Sequence, residues 1–335
     1  MRFCIHFSCI LVLLLFSCKK KEQTYTKITG KAQGTTYAIT FENKHQVLLR
    51  GEIDSIFNVI DKSMSLWDSS SSISKFNQAA ESYAVDDHFG AVFKKSQDVY
   101  ALSEGAFDPT VGTLIKHLGF VRKNKLPAPT QQTIDSLLQN VGFSKASLKG
   151  QTIFKTHRHV QLDFNAIAQG YTVDVLAAQL EKHQINDYMV ELGGEVITKG
   201  KNKQGSTWRI GIEKPTENDA DQQNSVQNIL GLTNVSLATS GNYRNFIEKD
   251  GKRFSHIINP KTGKSAEQTV LSVSVLAPTC AEADAWATAF MVLGKDKSLE
   301  LAQKMGFDIQ IIMSKDKGLD IVQTEGFKKR IIQTP

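Results

Sequence analysis

The chain has 335 residues, of which 41% are hydrophobic and 22% charged, with a formal net charge of +6 and four cysteines. A chain of this length can bury a large core without disulfides. Its lysines are scattered and not gathered into a basic stripe with interleaved aromatics, which excludes a nucleic-acid footprint.

At the N-terminus, Arg2 followed by the apolar run Phe3 to Phe16 has the form of an export signal, being too short for a comfortable membrane span. The run ends in Leu15, Phe16, Ser17 and Cys18, which resembles a bacterial lipobox. Residues 1–17 are therefore expected to be a lipoprotein signal peptide, with Cys18 the lipidated first residue of the mature protein. Several acyl chains, palmitate among them, hold a membrane where one chain binds only marginally. Lys19 to Lys21 suit a lipidated tether at residues 18–27, and the folded domain is expected over residues 28–335. Cys4 and Cys9 fall in the signal, so Cys280 alone remains in the fold and no internal disulfide is expected.

Thr35 to Phe41 predicts a strand, entered through Gln33 and Gly34. Leu49, Ile53, Ile56, Phe57, Ile60 and Met64 recur at helical spacing and predict a helix with a core face. The serine-dense stretch Ser65 to Asn77, SLWDSSSSISKFN, reads by composition as a loop. A second helix is expected from Phe89 to Leu102, ended by Gly105 at a left-handed position. Asp108 is held extended by Pro109, so the turn can present its carboxylate. Thr130 to Asn140 predicts a helix and His157 to Asp163 a strand.

The segment LDFNAIAQGYTVDVLAAQL, from Leu162, predicts a strand turning into a helix that runs to about His183, and the free N–H groups of a helix start suit phosphate. Tyr188 to Val190 is an apolar run ending in Glu191, Leu192, Gly193, Gly194 and Glu195, without the spacing of a dinucleotide fold. Trp208 to Ile212 predicts a strand, and Glu217 to Asn228 a surface loop. Thr239, Ser240 and Gly241 offer donors to an anion, and the turn Pro260 to Gly263 holds His256 in a defined place. Val270 to Leu276 predicts a buried strand feeding a helix that starts at Thr279, where Thr279 and Glu282 fit a capping box. Asp284 and Thr288 lie one turn apart on one face of that helix, where a carboxylate and a hydroxyl can hold a small hard cation or simply pack.

Taken in order, QGTTY at Gln33, SLWDSSSSISKFN at Ser65, GAFDPTVG at Gly105, LDFNAIAQGY at Leu162, ELGGE at Glu191, ATSGNYRNF at Ala238, HIINPKTG at His256 and EADAWATAFMVLG at Glu282 resemble the ApbE family of FAD:protein FMN transferases. The resemblance implies an α+β, T-fold-related architecture of sheets with packed helices. It also implies an enzyme of the bacterial cell envelope that faces the periplasm or exterior. Such an enzyme uses Mg²⁺ to transfer FMN from FAD to a Ser or Thr of an acceptor flavoprotein, releasing AMP. The implied acceptors belong to redox complexes of the sodium-pumping NADH:quinone oxidoreductase or Rnf type.

By the same resemblance, Gln33, Trp67, Ala106, Phe107, Asp108, Gln169 and Ile258 contact the flavin nucleotide. Asp284, Thr288 and the backbone oxygen of Ala166 hold the metal, and His256 and Asp284 are the candidate catalytic groups. Two positions depart from the family pattern: Gln169 stands where many members have Lys, and Ala287 where some relatives carry a further carboxylate. The residues alone leave three other functions open, an FAD pyrophosphatase, a non-enzymatic flavin-binding lipoprotein and a structural surface lipoprotein.

Overall fold

Two consecutive left-handed residues, Gln33 (φ 49°) and Gly34 (φ 77°), join the first pair of strands. A two-residue turn of this kind carries the twist that paired strands need. The computed structural model describes residues 24–44, 47–118, 129–215, 226–242, 246–249, 252–255, 257–266, 269–315 and 318–334.

The first half comprises β1 (Tyr25–Ala32), β2 (Thr35–Glu42), α1 (Arg50–Met64), α2 (Ser72–Gln78), β3 (Ser82–Ala84), α3 (Asp87–Leu102), α4 (Gly112–Leu118), α5 (Gln131–Leu138), β4 (Ala146–Lys149), β5 (Thr152–Lys155) and α6 (Ala168–Lys182). Then come β6 (Tyr188–Leu192), β7 (Glu195–Lys199), β8 (Trp208–Glu213), β9 (Val226–Leu232), β10 (Val235–Gly241), β11 (Phe246–Lys249), β12 (Lys252–Ser255) and β13 (Val270–Ala277). The chain continues with α7 (Cys280–Leu293), α8 (Lys295–Met305), β14 (Asp308–Lys315), β15 (Gly318–Gln323), α9 (Glu325–Arg330) and β16 (Ile331–Gln333).

The fold is α+β. Its central sheet has eight strands in the order β1-β2-β6-β7-β10-β13-β14-β15, and every described ladder is antiparallel. β13 reads VLSVSVLA and is buried along almost its whole length, the pattern of a strand covered on both faces. One cover is the small sheet β16-β9-β8, whose Trp208, Ile210, Ile212, Leu230 and Leu232 meet Val196, Leu237 and Leu276 of the central sheet. The other is helical: Phe89, Phe93, Phe164, Trp286 and Phe290 share the largest apolar cluster with Val273 and Val275. Complete burial of a side chain such as Phe290 is worth about 1.5–3 kcal/mol.

α7 is buried on nearly all sides, through Ala281, Ala283, Ala285, Ala287 and Ala289 as well as its aromatics. Small side chains let neighbours approach its backbone, and at Gly170 of α6 the approach is tightest. A Cβ there would stand 2.8 Å from Asp284 Cβ and closer still to the Cys280 carbonyl.

Several expectations are corrected. β1 already starts at Tyr25, inside the segment read as tether, and pairs with β2 along its full length. Part of the serine-dense loop is helical: Ser71 caps α2 by accepting from the N–H of Ser74, while Ile73 and Phe76 supply a buried face. His157 to Asp163 is not a strand; the strand lies earlier, at β5, and the following chain runs without a ladder partner past buried Lys155. Lys155 explains this irregular path, since its ammonium donates to the carbonyls of Phe76 (3.0 Å), Arg158 (3.2 Å) and Val160 (3.2 Å). The end of the expected polar loop, Val226 to Asn228, belongs to β9.

Candidate functional site

The site lies where β10 outruns β7. Their pairing stops at Leu237 and Val196, whereas β10 continues beside β13 to Gly241. The gap opens into a cavity of about 1290 Å³, bordered by the β1–β2 turn, the end of α1, the entry to α6, the β6–β7 turn, β8 and α7.

Gln33 enters the cavity from its left-handed turn, and its side-chain amide donates to Thr172 Oγ1 at 3.0 Å. Gln169 lies beside it, with Nε2 3.5 Å from the Gln33 carbonyl. Trp67 stands at the rim with 63% of its surface exposed, which is unusual for so large an apolar ring. Ala106, Phe107 and Asp108 form one wall, and Ile258 faces the cavity from the segment before the Pro260 turn. Asp108 serves its own turn as well: Oδ1 accepts from Thr110 N (2.8 Å) and Thr110 Oγ1 (2.6 Å). Burial raises its pKa to about 6 against those hydrogen bonds.

Asp284, Thr288 and Ala166 line the same cavity. The capping box starts their helix as expected, with Thr279 Oγ1 accepting from Glu282 N and donating to Glu282 Oε2 at 2.8 Å. Asp284 Oδ2 accepts the N–H of Gly170 at 3.0 Å. Burial, with the Asp174 carboxylate adding to it, raises the Asp284 pKa to about 7. Thr288 Oγ1 lies 3.0 Å from Ser240 Oγ. Cys280 sits buried in the first turn, and burial pushes its thiol pKa well up, which removes it as a nucleophile. His256 and Cys18 lie outside the described residues.

The electrostatics of the lining are one-sided. Its described residues include seven carboxylates, Asp61, Asp108, Asp163, Glu191, Glu195, Glu213 and Asp284, and no Lys, Arg or His. Among the described residues no group of three or more His, Cys, Asp or Glu is arranged to hold a metal ion alone. Asp284, Thr288 and Ala166 border the same cavity and carry only oxygen donors, the ligand type that a hard cation takes when other oxygens complete its shell.

A family model described as the ApbE family matches residues 33–313. The chain belongs to the ApbE family. It is 36% identical over 310 residues to the FAD:protein FMN transferase of Vibrio cholerae, an overlap that covers 90% of this chain and 91% of that one. The solved structure of the flavin transferase ApbE from Vibrio cholerae superposes with a TM-score of 0.83 at 34% identity, covering 92% of this chain and 99% of the other. That of the Pseudomonas stutzeri flavinyl transferase ApbE, apo form, gives a TM-score of 0.82 at 30% identity, with 92% and 97% covered.

Three carboxylates of this ApbE chain escaped the sequence reading. Asp163 is buried at the cavity wall, with Oδ1 accepting from Asn165 N (2.8 Å) and Oδ2 unpartnered among the described residues. Burial raises its pKa to about 6. Asp61 faces the cavity from α1, its pKa raised by burial against a hydrogen bond from Gln33. Asp174 lies behind the site and caps α7. The only local sign was the Asp-Phe-Asn spelling at Asp163, where a short side chain turns the backbone at a helix entry.

Proposed function

We propose that this chain transfers FMN from FAD to a protein acceptor. The observation that carries the reading is the single cavity in which Gln33, Trp67, Asp108, Gln169, Asp284 and Thr288 converge although they come from distant parts of the chain. Family membership and relatives named FAD:protein FMN transferase support it. In the finer reading, a Ser or Thr oxygen of the acceptor attacks the FMN-side phosphorus of the FAD pyrophosphate. The bond from that phosphorus to the bridging oxygen breaks, AMP leaves with the oxygen, and the hydroxyl proton passes to a base. His256, or a carboxylate near Asp284, is the candidate base.

Asp284, Thr288 and the Ala166 carbonyl would hold Mg²⁺, which supplies charge neutralisation at the pyrophosphate when bound. The seven carboxylates of the described lining support this, because among the described residues that line the cavity a dianionic pyrophosphate meets no Lys, Arg or His. Gln33, Trp67, Ala106, Phe107, Asp108, Gln169 and Ile258 orient the nucleotide. Attachment through Cys18 to the envelope, and acceptors in redox complexes of the sodium-pumping NADH:quinone oxidoreductase or Rnf type, complete the proposal; the lipobox sequence supports the anchor.

The test is incubation of the mature chain with FAD, Mg²⁺ and membrane extract of a strain lacking its gene. A protein that gains covalent flavin fluorescence and the mass of FMN, with AMP released, is the expected result. AMP release without attachment would mean a pyrophosphatase, and FAD binding without either product a carrier. Loss of labelled palmitate on Cys18→Ala tests the anchor.

A further inference from the structure

The central sheet has two ends of different character, and the strand registers fix which loops lie at each. Tyr25 of β1 stands opposite Glu42 of β2, Phe41 opposite Tyr188 of β6, Tyr188 opposite Lys199 of β7, and Thr198 opposite Val235 of β10. The start of β1 therefore shares one end of the sheet with the connections that follow β2 and β7. The turns at Gln33–Gly34 and Gly193–Gly194 and the last residue of β10, Gly241, share the opposite end, and all of them border the cavity. A strand of eight residues such as β1 rises about 24 Å from first residue to last. One end of β1 is thus at the cavity and the other about 24 Å from it.

The far end is where the tether joins. Thr24 is held there, its carbonyl accepting the N–H of Asn43 at 2.7 Å. Cys18 precedes Thr24 by six positions, and six residues span at most about 20 Å. A lipid on Cys18 would hold this end of the sheet close to the bilayer.

The surface around Thr24 suits such a neighbour. Lys201 and Lys203 are exposed in the connection that follows β7, and Tyr25 donates its hydroxyl to the Lys201 carbonyl at 2.8 Å, which places that connection beside the start of β1. Leu48 is 92% exposed and follows Val47, whose carbonyl accepts from the Asn43 side chain at 3.2 Å. Lys44 and Lys199 lie here too, each sharing its charge with a carboxylate, Glu42 and Glu181, while Asp187 accepts the N–H of Lys201. The cavity end has the opposite sign, with seven carboxylates and no Lys, Arg or His in its described lining. An anionic leaflet attracts the first end, which Lys19 to Lys21 of the tether extend, and repels the second.

Resting on the lipid-anchor reading, we propose that the chain stands on an anionic membrane surface by the tether end of its sheet, through Lys201, Lys203 and Leu48, and holds its cavity away from the bilayer. An acceptor must then offer its hydroxyl from a part that rises about 24 Å or more from the lipid. A hydroxyl in a loop lying on the bilayer surface would be out of reach.

The test uses the full lipidated chain in vesicles of phosphatidylethanolamine and phosphatidylglycerol that carry a nitroxide on the headgroup of some lipids. Cys280 is buried and Cys18 is blocked by its lipid, so one cysteine introduced on the surface takes a fluorophore selectively. Leu48→Cys and Gln204→Cys place it at the tether end, and Lys31→Cys near the cavity end of the same β1; all three positions are exposed. Labels at 48 and 204 should lose fluorescence to the nitroxide, and the label at 31 should keep it. Reversing charge with Lys201→Glu and Lys203→Glu, or replacing the anionic lipid by phosphatidylcholine, should abolish that difference. Equal quenching at the three positions, stronger quenching at 31, or a difference that survives charge reversal overturns the proposal. Thermal midpoints check that each labelled chain is folded, and either tether-end position suffices if the other variant is not. If the chain takes up no labelled palmitate and does not sediment with vesicles, the anchor reading falls and this proposal falls with it.

Discussion

Asp174 and Asp284 each bind the first turns of the other's helix. Asp174 of α6 accepts the N–H groups of Cys280 (2.7 Å) and Ala281 (3.0 Å) at the start of α7, and Asp284 of α7 accepts that of Gly170 (3.0 Å) at the start of α6. Each carboxylate meets the positive end of a helix dipole. The clamp fixes the height of α7 against α6, and so the position at which Asp284 and Thr288 enter the cavity.

Removing one half of the clamp should therefore loosen α7. Asp174→Ala leaves two buried N–H groups without their acceptor and should cost about 1–2 kcal/mol of stability, as loss of a helix cap does. Urea unfolding gives the number. Because Asp174 does not line the cavity, any change in transfer should come indirectly, through a shifted Asp284 or through loss of the Asp174 charge that raises the Asp284 pKa.

Gly170 is needed for the close approach of the two helices. Gly170→Ala puts a methyl group within 2.8 Å of Asp284 Cβ and should destabilise by about 1–3 kcal/mol through overpacking. Gly90→Ala, at the end of the first turn of α3, is the control: its new Cβ would meet Leu148 at 3.7 Å and should stabilise by about 0.5–1 kcal/mol. Equal midpoints for the two variants would contradict the packing at α6 and α7.

Acidity should stabilise the ligand-free protein down to about pH 5. Burial raises the pKa values of Asp108, Asp163 and Asp174 to about 6, from a reference of 3.8. A carboxyl whose folded pKa is raised binds its proton more tightly in the native state. Its contribution is fully present below 3.8 and is lost as pH rises through 6, so stability falls across that window, by about 1 kcal/mol per group between pH 5 and 7. Carboxylates with lowered pKa values, such as Asp86 and Glu52, act at lower pH and do not mask the trend. Asp163→Asn should flatten the slope, as read from urea midpoints at pH 5 and 7.5.

Divalent cation should be a condition of FAD affinity, and not only of turnover. With seven carboxylates and no basic residue in the described lining, chelation by EDTA should weaken FAD binding by at least about tenfold in titration calorimetry. Asp284→Asn should remove Mg²⁺-dependent transfer, by about 100-fold or more, while the folded protein keeps its Gly170 hydrogen bond through the amide oxygen. Full FAD affinity in EDTA, or normal transfer by Asp284→Asn, would count against the proposed metal site.

Much of the architecture is local, and local signals are legible. The 3.6-residue spacing from Leu49 to Met64, the capping box at Thr279 and Glu282, and the Asp-Pro turn at Asp108 each specify backbone shape through neighbours within one or two turns. The site residues named from the motif order also converge in one cavity, apart from those outside the described residues. The misreadings have a shared cause. Ser72 to Gln78 looks polar, but two residues, Ile73 and Phe76, are enough to anchor a short helix once a core exists to receive them. His157 to Asp163 alternates like a strand, yet no described strand pairs with it, and Lys155 gathers the carbonyls of Arg158 and Val160 instead.

By itself, the sequence determined the strongly patterned elements such as α1, the capped start of α7 and the order of motifs that marks an ApbE chain, because these depend on contacts close along the chain or on the residues themselves. Only the tertiary structure decided that β10 outruns β7 to open the cavity, that Asp163 has an oxygen at its wall with no partner among the described residues, and that Asp174 and Asp284 clamp two helices through hydrogen bonds between residues more than a hundred positions apart. The reason is physical: the charge state and hydrogen bonding of a carboxylate depend on desolvation and on partners supplied by packing. A residue's letter specifies neither.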